Sequence, residues 1–185
     1  MRDMVVIGTS AGGVQALLTL LPALPADFAL PVLIVVHVPS DHDHALVPLF
    51  QRHCAMQVCE AEDKQVPEPG AIYFAPANYH LLVERDGSLA LSVDDPVNHS
   101  RPSIDLLLES AADALRTRVV AILLTGANHD GAEGLRAVAD AGGTVIVEDP
   151  DTARMPTMPA AGLALCPDAL RLPIEAIAPY LLRLA

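Results

Sequence analysis

Short, almost unbroken apolar runs alternate along this chain with stretches whose apolar residues recur every three or four positions. Met4 to Ile7, Leu30 to Val38, Ala71 to Pro76, Val119 to Leu124 and Thr144 to Val147 are such runs. Their near-continuous apolar character is that of parallel strands covered by helices on both faces. Val58 to Ala61 predicts a further short strand. The intervening segments predict helices: one opening at Val14 and running to about Leu21, one over Asp41–His53, and one starting at Pro102-Ser103 and ending near Leu115. Others are predicted over Gly131–Ala141, Ala160–Leu165 and Pro173–Leu184. Pro22-Ala23-Leu24-Pro25 ends the first helix, Pro48 interrupts the second or marks a late start, and Gly142-Gly143 stops the fourth. His80–Glu84 and Ser88–Val93 flank Arg85-Asp86-Gly87, a hairpin signal with Asp-Gly in the turn. Asp94–Arg101 and Glu148–Pro159 read as long loops. The pattern predicts an α/β fold, a doubly wound, mostly parallel sheet flanked by helices, with an antiparallel hairpin at one edge. No repeat or linker divides it, so residues 1–185 are expected to form one domain.

Composition narrows the function more than the fold. At 185 residues and 52% apolar content, the chain is long enough to bury a sizeable core. Only 3% of it is aromatic, with no Trp, which argues against base-stacking platforms. Eleven basic against twenty-three acidic residues give a net charge of −12, which repels phosphate backbones and anionic membranes. Nucleic acid is therefore not an expected partner. The longest apolar stretch, Phe28 to Val38, falls well short of the roughly 20 residues of a membrane helix. A charged start passes directly into Met4-Val5-Val6-Ile7-Gly8, so neither a secretory leader nor membrane insertion is expected. Cys54, Cys59 and Cys166 form no disulfide framework, which fits a reduced, cytoplasmic protein.

Candidate chemistry begins at the turn after the first strand. Gly8-Thr9-Ser10-Ala11-Gly12 fits G-x-S-x-G, a turn that exposes a nucleophilic serine. Gly8, Ser10 and Gly13 also imitate the dinucleotide fingerprint, with serine at the middle glycine. A third reading is a structural turn and nothing more. Ser10 follows the first strand, His37 ends the second, and Asp130 lies in the loop after Val119–Leu124. In a doubly wound sheet these three share one crevice at the strand carboxyl ends. A serine hydrolase needs this set: a hydroxyl, an imidazole to take its proton, and a carboxylate to orient the ring. The Gly-rich turn around Gly12 and the Gly126-Ala127 backbone offer N–H donors for an oxyanion. Each residue also has an ordinary reading. Ser10 serves the turn, His37 bonds a carbonyl, and Asp130 caps the helix that follows it. Asp41 and Asp105 are rival acids.

The dinucleotide reading lacks an acidic residue at the end of the second strand, where His37-Val38-Pro39 stands instead. Asp41-His42-Asp43-His44 offers metal-ligand types, but such alternation in a loop more often starts a solvated helix, and no metal or other cofactor is expected. The order Ser, His, acid differs from the α/β-hydrolase order, in which the acid precedes the histidine.

These landmarks together resemble the catalytic domain of the chemotaxis protein-glutamate methylesterases, the CheB family, from Met4 to Leu184. They include Ile7-Gly8-Thr9-Ser10-Ala11-Gly12-Gly13, Val36-His37-Val38-Pro39 and Pro69-Gly70-Ala71-Ile72-Tyr73-Phe74-Ala75-Pro76. Tyr79-His80-Leu81, Arg101-Pro102-Ser103-Ile104-Asp105, Leu124-Thr125-Gly126, Asp130-Gly131-Ala132 and Met158-Pro159 follow in order. The resemblance implies a serine hydrolase that demethylates glutamyl methyl esters on methyl-accepting chemoreceptors, and in some members deamidates glutamines. It places the catalytic residues on Ser10, His37 and Asp130. Thr9 and Ala11 border the nucleophile, Ala127 stands at the oxyanion position, and Arg101 helps to shape the substrate crevice. A separate regulator or methyltransferase is a further implied partner, since no receiver domain is expected within the chain. Where the family has Met-Gly-x-Asp-Gly, this chain has Ala127-Asn128-His129-Asp130-Gly131. That departure motivates a second expectation, a member that binds receptors or signalling partners without hydrolysing them.

Overall fold

Strand β1 (Met4–Thr9) is buried along its whole length because it is covered on both faces. Its side chains alternate: Val5 and Ile7 enter one apolar core, Met4 and Val6 the other. The computed structural model describes residues 4–37 and 45–184. Around β1 lie β2 (Val32–Val36), β3 (Gln57–Glu60), β4 (Ala71–Phe74), β7 (Val119–Leu123), β8 (Thr144–Glu148) and β9 (Leu170–Leu172). They form a seven-stranded sheet of order β3-β4-β2-β1-β7-β8-β9. Every pairing within it is parallel. The chain runs from β1 to β2, out to the edge strand β3 and back to β4 between them, then crosses to the other side of β1 with β7. The winding therefore reverses between β1 and β7, the place where an open α/β sheet leaves a crevice at its carboxyl ends.

Helices α1 (Gly13–Leu20), α2 (Leu46–Gln51) and α6 (Ile174–Leu184) cover one face. Leu17, Leu20, Phe50, Ile177 and Leu181 pack there against Ile7, Ile34 and Ile122. Helices α3 (Ile104–Leu115), α4 (Ala132–Asp140) and α5 (Thr157–Leu165) cover the other, with Leu107, Leu108, Leu135 and Met158 against Val6, Val35 and Leu123. Among the described residues, no helix is long and apolar enough to cross a membrane.

The hairpin forms as expected from β5 (His80–Val83) and β6 (Leu89–Ser92), antiparallel to each other. It is a separate two-stranded sheet, however, and is not hydrogen-bonded to an edge of the large one. Leu81, Val83 and Leu89 turn into the α3 core instead, and the Val83 N–H donates to Ser110 Oγ at 3.1 Å. Three other elements differ from the sequence expectation. Strand β9 has no counterpart in the sequence expectation, because Leu170 and Leu172 are only partly buried and the exposed Arg171 between them breaks any apolar run. Helix α5 starts at Thr157, so Pro159 lies in its first turn, where a missing N–H breaks no helical bond. Helix α2 starts at Leu46, with Pro48 likewise near its start. The beginning of the Asp41–His53 expectation, including rival acid Asp41 and the Asp41-His42-Asp43-His44 run, lies outside the described residues.

Two glycines set how closely α3 approaches its neighbours. A Cβ on Gly8 would stand 2.1 Å from Ile104 Cγ2, and one on Gly134 would stand 2.6 Å from Leu108 Cβ and 2.8 Å from the Asp105 carbonyl. The start of α3 is thereby seated over the end of β1 and against α4. Gly134 lies inside a helix, where Ala is intrinsically better by about 1 kcal/mol. The close packing reverses that preference. Gly134→Ala is expected to destabilise the protein by about 1–3 kcal/mol, read as a lower urea midpoint. A raised midpoint would show that α3 and α4 are free to separate.

Candidate active site

The turn after β1 is held by one residue from another strand end, Thr125. Its carbonyl accepts the Ser10 N–H at 3.0 Å and the Thr9 hydroxyl at 2.8 Å. Its own hydroxyl donates to the Ala11 carbonyl at 2.9 Å and accepts the Met155 N–H at 2.9 Å. Its N–H donates to the buried Glu148 carboxylate at 2.7 Å. Burial pushes the Glu148 carboxyl above its ordinary range, while the Thr125 N–H pulls it back. Gly12 adopts φ 84 at the start of α1, and a Cβ there would meet the stem of Arg154 at 3.0 Å. The turn thus needs glycine for both its conformation and its contact. Among the described residues, the Ala11 and Gly12 N–H groups have no hydrogen-bond partner, so they stand free beside Ser10 at the positive end of α1.

His37 follows β2 directly, its N–H bonded to the Thr9 carbonyl at 3.1 Å. Ser10 and His37 line one cleft of about 530 Å³, together with Ala11, Gly12 and Arg154. His37 Nε2 lies 3.0 Å from Asp130 Oδ2, with the imidazole 13% exposed and the carboxylate fully buried. The approach is oblique, so Nε2 makes no straight hydrogen bond. The other ring nitrogen, Nδ1, faces the Asn128 side-chain amide at 3.3 Å.

Asp130 is placed by the start of α3. Its Oδ2 accepts the Ile104 N–H at 2.7 Å, and its Oδ1 accepts the Asp105 N–H at 3.2 Å and the Ser103 hydroxyl at 3.0 Å. Asp105, in turn, reaches across to α4, where its Oδ1 accepts the Gly131 and Gly134 N–H groups at 2.9 and 2.7 Å. Each helix start is therefore capped by a carboxylate from beside the other. The Asn98 amide joins the pair, donating to Asp105 Oδ2 at 2.7 Å and to Asp130 Oδ1 at 2.9 Å. Below this layer, His80 accepts the Ser103 N–H on Nδ1 at 3.1 Å, which leaves Nε2–H to donate to the Asp95 carbonyl at 3.1 Å.

The two carboxyls differ widely in acidity. Burial alone would raise Asp130, but His37, Asn98 and the Ile104 and Asp105 N–H groups outweigh it and hold the carboxyl at about 2. Burial and the neighbouring Asp130 charge push Asp105 up to about 6, against the pull of Gly134 and Asn98.

His37 and Asp130, far apart in sequence, are brought into contact, and Ser10 is brought to the same cleft. The ordinary reading of Asp130 as the cap of its own helix is not what forms: Gly131 is the N-cap of α4, without a side-chain bond, and Asp130 caps α3. Two expected site residues stand elsewhere. The Thr9 side chain is fully buried and bonded to Thr125, so it turns into the fold and away from the cleft. Arg101 does not line the cleft; its guanidinium donates to the Val93 and Asp94 carbonyls at 2.9 and 3.0 Å and fastens the loop before α3. Ala127 is exposed on the loop after β7, with its N–H unpartnered among the described residues. Asn98, Thr125 and Arg154 carry no site expectation from the sequence, and Asn128 enters there only as part of the Ala127-Asn128-His129 departure. They lie at strand ends and in loops, where no periodicity marks a position; only the Asn residues, with their tolerance of turns, offered a hint.

Fold and rim together define a doubly wound α/β domain with a hydroxyl, an imidazole and a buried carboxylate at the carboxyl ends of its central strands. The CheB methylesterase family matches residues 5–181, and the chain belongs to that family. A Leptospira interrogans relative, provisionally named a protein-glutamate methylesterase/protein-glutamine glutaminase, is 40% identical over 182 residues, 98% of this chain and 94% of that one. A Myxococcus xanthus protein-glutamate methylesterase/protein-glutamine glutaminase is 40% identical over 163 residues, and this chain spans 47% of its length. The crystal structure of the Thermotoga maritima CheB methylesterase catalytic domain superposes with a TM-score of 0.94 at 33% identity, covering 100% of both chains.

The raised Asp105 carboxyl has a consequence for stability. Between its ordinary 3.8 and about 6, folded Asp105 holds a proton that the unfolded chain has released. Stability from this group is therefore full below about pH 4 and falls as pH rises toward about 6. Asp130 acts in the opposite sense, losing its contribution as pH falls from 3.8 toward about 2. Asp105→Asn is expected to flatten the decline of the urea midpoint between about pH 4 and 6. Parallel curves for the two proteins would show that Asp105 is ionised throughout that window.

Proposed function

We propose that this chain is a protein-glutamate methylesterase acting on glutamyl methyl esters of a chemoreceptor-type protein, with Ser10 as nucleophile, His37 as base and then acid, and Asp130 as the orienting carboxylate. The observation that carries this reading is the placement of His37, with one ring nitrogen 3.0 Å from a buried carboxylate and its ring lining the cleft that Ser10 also lines. Since Nε2 faces Asp130, Nδ1 is the nitrogen that takes the Ser10 proton. The serine oxygen then adds to the ester carbonyl. The oxyanion is met by free N–H groups at the start of α1, Ala11 and Gly12, and by that of Ala127. Collapse expels methoxide, which leaves as methanol with the proton from His37, and a glutamyl ester of Ser10 remains. Water, activated by the same imidazole, releases glutamate and restores the serine. Glutamine deamidation follows the same course with ammonia as the leaving group, in keeping with the double names of the relatives.

Asp130 suits its part because the carboxyl held at about 2 is ionised at neutral pH, so it stabilises the imidazolium without taking its proton. Its attachment to the start of α3 limits its movement during the reaction.

Methanol release from methylated receptor tests this reading. Ser10→Ala is expected to reduce it to background with an unchanged circular dichroism spectrum, and Asp130→Asn to lower kcat by about 10²–10⁴-fold. Undiminished turnover by Ser10→Ala would overturn the nucleophile assignment. A folded wild-type protein whose Ser10 resists an active-site phosphonate, and which still binds receptor, would favour the non-hydrolytic reading.

A further inference from the structure

We infer that Asn128 is a positioning residue for His37: its amide selects the ring tautomer and occupies, in the resting protein, the lone pair that Ser10 must use. The inference rests on His37 being the base. Three contacts carry it. Asn128 Oδ1 accepts the Asp130 N–H at 3.1 Å, which settles the orientation of the amide, because a flipped amide would set NH2 against N–H. Asn128 Nδ2 is then the atom 3.3 Å from His37 Nδ1. An amide nitrogen only donates, so Nδ1 is the acceptor and the neutral ring carries its proton on Nε2. That is also the nitrogen 3.0 Å from Asp130 Oδ2, and both neighbours of the ring therefore demand the same tautomer.

Nδ1 has one in-plane lone pair. The Asn128 amide and the Ser10 hydroxyl compete for it, and proton transfer from Ser10 requires the amide to turn away. The amide donor and a proton compete for the same lone pair, so Asn128 both orients the ring and must release Nδ1 before that nitrogen can act as a base. Because Asn128 is two residues from Asp130 and bonded to its N–H, the same loop presents the carboxylate to one ring nitrogen and the amide to the other.

Two substitutions keep the acceptor for the Asp130 N–H and change only what faces Nδ1. Asn128→Asp replaces the donor by an anionic acceptor. The neutral ring is expected to move its proton to Nδ1, seen in the imidazole nitrogen NMR shifts. kcat/KM is expected to fall at least about tenfold near pH 7, with its acid limb moved to higher pH. Asn128→Ser retains a turn hydroxyl but cannot reach the ring, so the Nδ1 nitrogen shift is expected to move toward that of an unbonded acceptor nitrogen. Wild-type imidazole nitrogen shifts in both variants would overturn the inference. If Asn128→Asp fails to fold, Asn128→Ser decides alone. Recording the NMR titrations in a Ser10→Ala background separates the two claims: they report the Asn128 contact whether or not Ser10 is the nucleophile.

Discussion

Two buried carboxylates, each seated on the start of the other's helix, are the arrangement on which the site depends. Asp130 precedes α4 but accepts the first N–H groups of α3, while Asp105 lies in α3 and accepts those of α4. A helix start has N–H groups with no partner inside the helix, and burying them unmet is costly. This exchange satisfies both starts at once and ties α3 to α4 at the level of the sheet's carboxyl ends. Asp130 emerges from it with an oxygen beside His37, so one group serves the fold and faces the cleft. The cost is the closeness of two acids, which is met by the Asn98 amide between them and by leaving Asp105 the weaker acid of the pair.

The opposite wall of the cleft is governed by Thr125, which fastens the Ser10 turn with both its carbonyl and its hydroxyl. Since β1 and β7 are paired in the sheet, their ends are already adjacent, and Thr125 needs only a short reach. The bond from Met155 to Thr125 adds the loop before α5 to the same cluster. Pre-arranged N–H donors and a fixed turn are what acyl transfer requires, because the developing charge then meets dipoles that need not reorganise. The chain's strongly acidic character makes Arg154, placed beside Gly12 in this cleft, a notable exception to its surroundings.

His37 is approached differently from the arrangement in which the carboxylate holds Nδ1 and the serine faces Nε2. Here the carboxylate is nearest Nε2, and Nδ1, on the other side of the ring, faces the Asn128 amide. The two nitrogens of imidazole are chemically close enough for either to serve, provided the partner of the other one sets the tautomer. The chain order Ser, His, Asp follows from this sheet's own winding, with the serine in the turn after the first strand and the acid in the loop that follows the strand added after the reversal.

Alternating apolar runs and helical periods in the sequence were enough to determine the doubly wound fold, most element positions, and the convergence of Ser10, His37 and Asp130 on one rim. These follow from local pattern: a strand buried on both faces must be apolar throughout, and the ends of parallel strands lie together. Tertiary structure alone decided which helix Asp130 caps, that the hairpin rests on α3 rather than the sheet edge, and that Thr9 and Arg101 serve the scaffold. It also revealed β9, whose pairing partners supply what its own three residues do not advertise. Asn128 illustrates the difference. A loop residue has no periodicity to betray it, and its contact with His37 joins the segments that follow β2 and β7, two strands with β1 between them. The direction of a short polar side chain depends on which donors and acceptors the rest of the fold brings within reach.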